Sequence, residues 1–400
     1  MALSQLISDL TPLEKSPMLF SLSSLGTKEQ RVVSAIDEMR VRLSYVVREP
    51  RRWVGLLRRS SFARAIQGSN TIEGYDVSLD DAVAAAVEEE PLEAGQETWR
   101  AVVGYRNAMT YVLQLSSDPF FRHSTALLRS LHYMMISHDL GKHPGLWRPG
   151  TVYVRRDPDG EIVYEGPDAS AVPSQMEELV QWLNSTSGFP PMVNAAMAHL
   201  NLVMIHPFSD GNGRMARALQ TLVLAREGIL DPRFSSIEEY LGRNTLAYYS
   251  VLAEVGQGRW NPHRDPLPWV RFCLTAHYRQ AATILRRARE QSRMWEELER
   301  IAQREVLPDR CILALMDAAM GFRVRNATYR AAAEISSNLA SRDLKMLADV
   351  RLLQPIGDRR GRWYVASDPI RAIRERAREL HVSVDPFQIE QTTLPGIDPQ

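Results

Sequence analysis

A twelve-residue polar loop between two apolar helices constrains the fold of this chain most strongly. Residues 191–205 form an apolar run without charged side chains, and residues 215–227 repeat apolar positions at helical spacing. The loop between them reads HPFSDGNGRMAR over residues 206–217. Its two glycines allow backbone N–H groups to approach a ligand closely, and the positive end of the second helix dipole points into the loop. The loop is therefore predicted to bind an anion.

The polar side chains of this loop are those that phosphate chemistry requires. Arg214 and Arg217 lie three residues apart on one helix face, where guanidinium groups can bind phosphate oxygens bidentately. Asp210 is a hard oxygen ligand suited to Mg²⁺ on a polyphosphate. His206 precedes the loop, where an imidazole can take a proton from an attacking hydroxyl. The alternative is a polar turn capped by Asp210, but such a turn requires neither the His nor the paired arginines.

The pattern H-P-F-x-D-G-N-G-R-x-x-R resembles the signature of Fic-domain proteins, and all nine of its defined positions match. Most members of that family move the adenylyl group of ATP onto a protein hydroxyl. The resemblance therefore implies a protein adenylyltransferase that uses ATP with Mg²⁺. The kinases of the Doc branch carry a Lys in a degenerate loop, at the place that Gly213 occupies here. This difference favours adenylyl transfer.

The resemblance implies a role for each residue of the site. His206 is the implied catalytic base, and Asp210 is the implied metal ligand. The implied ATP-binding residues of the loop are Gly211, Asn212, Gly213, Arg214 and Arg217. In the family, the helix that corresponds to residues 236–255 borders the nucleotide, and its Asn is close to the ribose or adenine, which implies Asn244. Tyr248 on the same helix either stacks on the base or packs in the core.

A second short motif lies far upstream of the loop. The residues from Ser69 to Gly74, SNTIEG, resemble the inhibitory motif Ser/Thr-x-x-x-Glu-Gly/Asn of Fic proteins. Its position resembles the class of the family that has an N-terminal inhibitory helix. There the Glu, here Glu73, pairs with the second arginine of the loop, here Arg217, so that ATP binds unproductively. The alternative is a helix-terminal Glu followed by a Gly that ends the helix.

Residues 151–164 predict a β-hairpin. β-branched and aromatic runs at 151–155 and 161–164 flank a turn that ends in Asp159-Gly160. The hairpin resembles the flap of Fic proteins. In the family the flap pairs through its backbone with an extended segment of the target protein and brings a target hydroxyl to the catalytic His. The alternative is an ordinary surface hairpin.

The region after the bundle predicts a separate unit. Residues 308–366 show three short helical patterns and then a basic hairpin, which resembles a winged helix-turn-helix. Arg342 and Lys345 lie on the third helix, and the segment Arg359–Arg362 forms the turn of the hairpin. Basic residues only slightly outnumber acidic ones in this region, whereas DNA-binding domains usually have a stronger basic footprint. DNA binding, protein contact and dimerisation therefore remain open.

The composition excludes some classes of protein. The formal net charge is +0, which argues against a protein built for nonspecific nucleic-acid binding. The two cysteines, Cys273 and Cys311, provide no disulfide framework, as in a reducing compartment. The N-terminus lacks the pattern of a signal peptide, and no uncharged run approaches the ~20 residues of a membrane span. We therefore expect a cytoplasmic protein without membrane contact.

These features predict an all-α fold, in which a Fic-type helical bundle with an embedded β-hairpin flap precedes a winged-helix domain. The predicted divisions are an N-terminal region with the inhibitory helix (1–110), the catalytic core (111–290), the winged helix-turn-helix (301–370) and a tail (371–400). The predicted function is transfer of AMP from ATP to Ser, Thr or Tyr hydroxyls of target proteins and of the protein itself.

Two other functions remain open from the sequence. The same loop could transfer UMP, phosphocholine or phosphate instead of AMP. Alternatively, the core could sense a nucleotide on behalf of a DNA-binding regulator that uses the C-terminal region. A homodimer is compatible with each of these functions.

Overall fold

A computed structural model describes residues 18–48, 52–155, 161–185, 188–226, 228, 230–358, 361–380 and 384–388. The helices are α1 (Thr27–Arg48), α2 (Arg52–Ile72), α3 (Leu79–Ala86), α4 (Gln96–Leu115), α5 (Thr125–Ile136), α6 (Val172–Asn184), α7 (Pro191–Ile205), α8 (Asn212–Ala225), α9 (Pro232–Ser235), α10 (Glu238–Arg243), α11 (Thr245–Gly256), α12 (Leu267–Arg304), α13 (Cys311–Ala319), α14 (Asn326–Ala333), α15 (Ser337–Asp349) and α16 (Asp368–Ala377). The strands are β1 (Tyr153–Arg155), β2 (Ile162–Glu165), β3 (Gly258–Arg259), β4 (Leu353–Ile356) and β5 (Trp363–Ala366). The predicted helical class with a small hairpin is confirmed. Within these ranges, no helix combines the length and apolar character that crossing a bilayer demands.

Helix α7 runs through the interior, which explains why its sequence is apolar on nearly every face. Met197 and Leu200 pack into one hydrophobic cluster, while Ala198 and Leu202 pack into another. Proline at the first helical position starts α7, because its fixed φ fits a helix and its missing N–H would have no partner there. The predicted bounds of α7 are confirmed, and α8 begins three residues earlier than the apolar pattern indicated.

The end of α2 lies against α10 by direct backbone contact. Gly68 and Gly242 make this possible, since a Cβ placed on Gly242 would lie 2.6 Å from the Cα of Gly68. A Cβ on Gly68 would in turn collide with the carbonyl of Glu238. Any larger residue at either glycine would force the helices apart. This contact fixes the C-terminal end of α2, where the SNTIEG motif lies.

The predicted hairpin is present and joins a small sheet. β1 and β2 are antiparallel, with Tyr153 opposite Glu165, and the short strand β3 pairs in parallel with β2. The side chain of Tyr164 points inward, and its hydroxyl donates a 2.8 Å hydrogen bond to the carbonyl of Met204 in α7. The hairpin is thereby anchored one residue before the end of α7. The predicted turn over residues 156–160 lies outside the described residues.

The C-terminal region shows the predicted order of three helices followed by an antiparallel hairpin. α13, α14 and α15 precede β4 and β5, which pair from Leu353–Ala366 to Ile356–Trp363. Residues 359 and 360 of the predicted basic turn lie outside the described residues. The tail predicted to start at 371 begins inside α16, where Ile370 and Ile373 are fully buried.

The packing does not follow the predicted division between residues 290 and 301. Helix α12 continues through that interval without a break. One hydrophobic cluster joins residues of α2, α12, α13 and α15, among them Trp53, Leu57, Trp295, Leu315 and Leu344. The C-terminal unit therefore shares its core with the N-terminal region and with α12.

Removing residues 305–400 is expected to destabilise the rest of the chain. Trp53, Leu57 and Trp295 would lose their cover, and exposing a large apolar side chain costs roughly 1.5–3 kcal/mol. Several such losses are comparable with the ~5–15 kcal/mol by which a typical domain is stable. Thermal unfolding should show a markedly lower Tm than that of the full chain. Removing only residues 389–400 is the control, and a truncated protein with the full-length Tm would contradict the shared core.

Candidate active site

His206 occupies the position where α7 ends, and its backbone is in the left-handed region with a φ of 53°. A non-glycine residue in this conformation is uncommon and is found most often at functional sites. The imidazole Nδ1 lies 3.1 Å from the carbonyl of Val203, which can only accept, so Nδ1 carries the proton. The other ring nitrogen, Nε2, is then an acceptor. Burial lowers the pKa of His206, which keeps the ring neutral at pH 7.

A buried arginine holds the backbone of His206. Arg148 is 4% exposed, and its Nε donates a 2.8 Å hydrogen bond to the carbonyl of His206. Its Nη1 and Nη2 donate to the carbonyls of Gly150 and Pro167, which flank the hairpin. Arg148 therefore ties the hairpin to the residue that ends α7. Sequence analysis missed it because an arginine between Trp and Pro shows no pattern that distinguishes it from a surface residue.

The loop is shaped by its own asparagine. The side-chain oxygen of Asn212 accepts from the N–H of Phe208, and its amide donates to the carbonyl of Phe208, both at 2.9 Å. Asn212 is predicted to bind ATP, and because both polar atoms of its side chain are used within the loop, its backbone N–H is the group that can contact a ligand. Gly211 has a φ of 73°, and a Cβ there would lie 2.8 Å from Ile136.

A histidine with no role in the sequence analysis links the loop to a neighbouring segment. His132 accepts from the N–H of Gly145 through Nδ1 at 2.8 Å, so its Nε2 donates to the carbonyl of Asp210 at 2.9 Å. Its ring stacks on Phe208 with the ring centres 3.7 Å apart. Burial lowers the pKa of His132 to about 4, so the ring stays neutral in this position.

The two loop arginines leave buried donors unused. Arg214 is 1% exposed and lies over the ring of Tyr75 at 5.3 Å. Its Nε and Nη1, and Nη1 of Arg217, find no hydrogen-bond acceptor among the described residues. Leaving buried guanidinium donors without acceptors is costly, and a phosphate supplies the charged oxygens that such donors require. The geometry thus favours an anionic ligand at this loop.

The predicted pair between Glu73 and Arg217 is present. Nη2 of Arg217 lies 2.6 Å from a carboxylate oxygen of Glu73 and 2.9 Å from the carbonyl of Ser69. Nε of Arg217 donates to the Ser69 hydroxyl at 2.8 Å. Burial lowers the pKa of Arg217, but the Glu73 carboxylate outweighs this effect and raises it above its ordinary value. Glu73 follows the last residue of α2 directly, so it is also a helix-terminal residue.

Gly213 explains why the carboxylate of Glu73 fits so closely. A Cβ at this position would collide with the Glu73 carboxylate and lie 3.0 Å from Nη1 of Arg217. Only glycine leaves room for both groups beside the loop backbone. The Glu73 carboxylate thus occupies the space beside Gly213, which is a predicted ATP-binding residue.

Asp210 faces two cations. One carboxylate oxygen accepts from the N–H of Gly211 at 2.7 Å, and the other lies 2.7 Å from Nζ of Lys142 and 3.9 Å from Arg214. Burial raises the pKa of Asp210, but the hydrogen bond and charge of Lys142 and the charge of Arg214 hold it below its usual value. No group of three or more metal-binding side chains occurs among the described residues. Asp210 supplies one carboxylate that already attracts a cation. One or two such carboxylates are the usual protein ligands of a Mg²⁺ ion that is also bound to a polyphosphate.

The two predicted nucleotide contacts outside the loop, Tyr248 and Asn244, lie in different surroundings. Tyr248 is 1% exposed, its hydroxyl lies 3.0 Å from Nε2 of His199, and its ring faces Trp269. Stacking on a base requires an exposed ring face, whereas the ring of Tyr248 is buried, so Tyr248 packs in the core. The side-chain amide of Asn244 donates to the carbonyl of Tyr240 between α10 and α11.

Comparison with known proteins agrees with the geometry of the loop. Residues 122–224 match the family model described as the Fic/DOC family. The chain carries a Fic domain. It is 28% identical over 256 residues to the protein adenylyltransferase Fic of Drosophila willistoni, covering 62% of this chain and 46% of that protein. It is 44% identical over 116 residues to the protein adenylyltransferase fic-1 of Caenorhabditis briggsae, covering 28% and 20%.

The chain thus spans half or less of the length of these curated relatives. A solved structure of a Fic family protein from Desulfovibrio desulfuricans G20 resembles this chain with a TM-score of 0.55. That alignment covers 87% of this chain and 99% of the other, at 22% sequence identity. At this identity the likeness concerns the fold. It extends well beyond the residues that the Fic family model matches.

Proposed function

We propose that this protein transfers AMP from ATP to hydroxyl groups of proteins, including its own. The observation that carries the proposal is the pair of buried guanidinium groups with unused donors, Arg214 and Arg217, next to the neutral imidazole of His206. Relatives of the Fic domain that are named protein adenylyltransferases support it. Incubation with α-³²P-ATP and cell lysate, followed by mass spectrometry of labelled proteins, tests the reaction. Label that never becomes covalently attached contradicts it.

The proposed step is an in-line displacement at the α-phosphorus. The target hydroxyl oxygen forms a bond to the α-phosphorus, and its proton passes to Nε2 of His206. The bond between the α-phosphorus and the oxygen that bridges to the β-phosphate breaks, and pyrophosphate leaves. Arg214, Arg217 and the backbone N–H groups at the start of α8 neutralise the developing charge. No covalent enzyme intermediate is required.

The proposed position for Mg²⁺ is the outer carboxylate oxygen of Asp210. When bound there, the ion would neutralise charge on the phosphates. The role of Asp210 is to orient the ion relative to Arg214, which approaches the same oxygen. Asp210 also holds its own loop through the N–H of Gly211.

Replacing Asp210 with Ala should reduce the transfer rate by at least about tenfold, or ~1.4 kcal/mol, and flatten its dependence on Mg²⁺. The reason is that the proposed protein ligand is lost. Asp210→Asn keeps an oxygen for the Gly211 N–H but lacks the charge, so it separates metal binding from loop capping. Rates measured over a range of Mg²⁺ concentrations test this. If Asn behaves like wild type while Ala does not, Asp210 serves only as a cap.

The hairpin is the proposed docking site for target proteins. β2 lies between β1 and β3, so both outer strands are edges among the described residues, and β1 is the longer of the two. An extended target segment can add to that edge through backbone hydrogen bonds. Arg148 fixes the hairpin relative to His206, so a segment bound there would have a defined distance to the base.

The contacts of the C-terminal unit do not favour DNA binding as the main function. Arg323 pairs with Glu93, and Arg330 lies 3.1 Å from Glu89, so part of its basic charge already meets acidic residues of the N-terminal region. The winged-helix interpretation remains a prediction. Transfer of UMP, phosphocholine or phosphate is distinguished from AMP transfer by the mass added to a target in a mixture of donors.

A further inference from the structure

Lys142, which lies outside the loop, contacts the proposed metal ligand Asp210. Lys142 ends a short 3-10 turn, Leu140–Lys142, and its Nζ is 2.7 Å from the outer carboxylate oxygen of Asp210. The sequences around Lys142 and Asp210 are separated by almost seventy residues, so no local pattern predicts this contact. Neither the loop motif nor the SNTIEG motif includes Lys142.

Several contacts hold Lys142 in this place. Asp139 caps the turn by accepting from the N–H of Gly141 at 3.0 Å. Arg129 donates to the carbonyl of Gly145 at 2.7 Å. His132 links the N–H of Gly145 to the carbonyl of Asp210, so the lysine segment and the loop are joined by one buried side chain. These contacts fix the backbone of the turn and so keep the Lys142 side chain within reach of Asp210.

Lys142 contacts the outer carboxylate oxygen of Asp210, which makes no hydrogen bond to the loop backbone. The other oxygen accepts from the Gly211 N–H. Arg214 is 3.9 Å from the outer oxygen, too far for a direct hydrogen bond. A divalent ion that binds this carboxylate must displace the Lys142 ammonium or lie beside it, and like charges at such distances repel.

We propose that Lys142 competes with Mg²⁺ for Asp210 and thereby sets the metal concentration at which ATP binds in its metal-bound form. This inference rests on the proposed function, since ATP brings the ion to the loop. The half-exposed lysine forms a pair of modest strength, which metal at sufficient concentration displaces.

The test measures binding and does not depend on turnover. A fluorescent ATP analogue is titrated with Mg²⁺ on wild type, Lys142→Met and Lys142→Arg, starting in EDTA. Met has a similar length without charge, so the Mg²⁺ midpoint should fall by roughly two- to fivefold, whereas Arg should stay near wild type. Lys345→Met is the matched control, since Lys345 also pairs with a carboxylate, Asp349, but lies in α15. Its midpoint should not change.

A double-variant comparison identifies the partner. In an Asp210→Asn background, Lys142→Met should no longer shift the midpoint, because the shared carboxylate is gone. A shift that persists overturns the competition, as does a Lys142→Met midpoint equal to or above that of wild type. Weaker binding of the analogue in EDTA would show that Lys142 contacts phosphate directly and would also overturn it. If no variant, wild type included, binds the analogue at any Mg²⁺ concentration, the proposed function fails instead.

Discussion

Replacing His206 with Ala is expected to abolish AMP transfer while ATP still binds. General-base catalysis contributes about 10²- to 10⁴-fold to a rate, so the variant should lose at least that much. The nucleotide contacts proposed here come from Arg214, Arg217 and the loop backbone, which the substitution leaves in place. Rates with α-³²P-ATP and binding of a fluorescent ATP analogue separate the two effects.

The pH dependence of wild type provides a second measurement of the same base. Burial lowers the folded-state pKa of His206, so the ring stays neutral below the pH at which an exposed histidine becomes protonated. The rate should therefore still exceed half of its maximum at pH 6.5 and fall to half only at lower pH. A rate that is already half lost at pH 6.5 would indicate an ordinary, exposed base.

The fold must be intact for the substitution to be informative. His206 is in the left-handed region at the end of α7, and Ala tolerates that conformation no better than His does. His206→Asn is the control, because Asn adopts the left-handed region more readily but does not replace the base. Both variants should be inactive at an unchanged Tm. Normal turnover by either one would exclude the proposed mechanism.

Local patterns in the sequence are sufficient to predict the loop and the helices on either side of it. The apolar run of α7, the loop and the SNTIEG motif are each one continuous stretch of sequence. Each is recognised from local features such as helical periodicity and glycine turns. The hairpin was predicted from β-branched runs, and strand pairing confirmed it. The contact of Glu73 with Arg217 came from the family resemblance, since nothing local links two residues so far apart in sequence.

The rest of the site depends on contacts that no local pattern encodes. Arg148 and His132 each join the loop to segments 58 or more residues away. Their residue types are common on surfaces, so only the folded chain shows that they are buried and aligned. Asn212 is predicted as a site residue, but the sequence does not show that its side chain is bonded to the backbone of Phe208. Tyr248 was ambiguous between base stacking and core packing, and burial decides for the core.

Replacing Glu73 with Gly is expected to raise AMP transfer by at least about tenfold, which requires only ~1.4 kcal/mol of the lost pairing. In the wild type, the Glu73 carboxylate binds Nη2 of Arg217 and lies against Gly213. It thereby occupies the space proposed for the phosphate oxygens. Removing it frees both the guanidinium and the space. Ser69 still holds Nε of Arg217 at 2.8 Å, so the freed side chain keeps its orientation toward the loop.

Glu73→Gln distinguishes the effect of the negative charge of Glu73 from the effect of the space that its side chain fills. The glutamine amide oxygen can still accept from Arg217, but its pairing lacks the charge that strengthens the wild-type contact. We therefore expect an activity between those of wild type and Glu73→Gly. Glu73→Gly also leaves the buried Arg217 without its counter-ion, so its Tm without ligand should fall and should rise with ATP by more than that of wild type.

The double variant Glu73→Gly/Arg217→Ala tests whether the released arginine causes the gain. Without Arg217 no guanidinium aligns the terminal phosphates, so activity should return to a low level despite the open site. Incorporation from α-³²P-ATP, compared among wild type, Glu73→Gly and the double variant, measures this. A double variant as fast as Glu73→Gly would mean that the carboxylate inhibits only by filling space beside Gly213. If Glu73→Gly is no faster than wild type, Glu73 is an ordinary helix-terminal residue, and its pair with Arg217 is structural and does not regulate transfer.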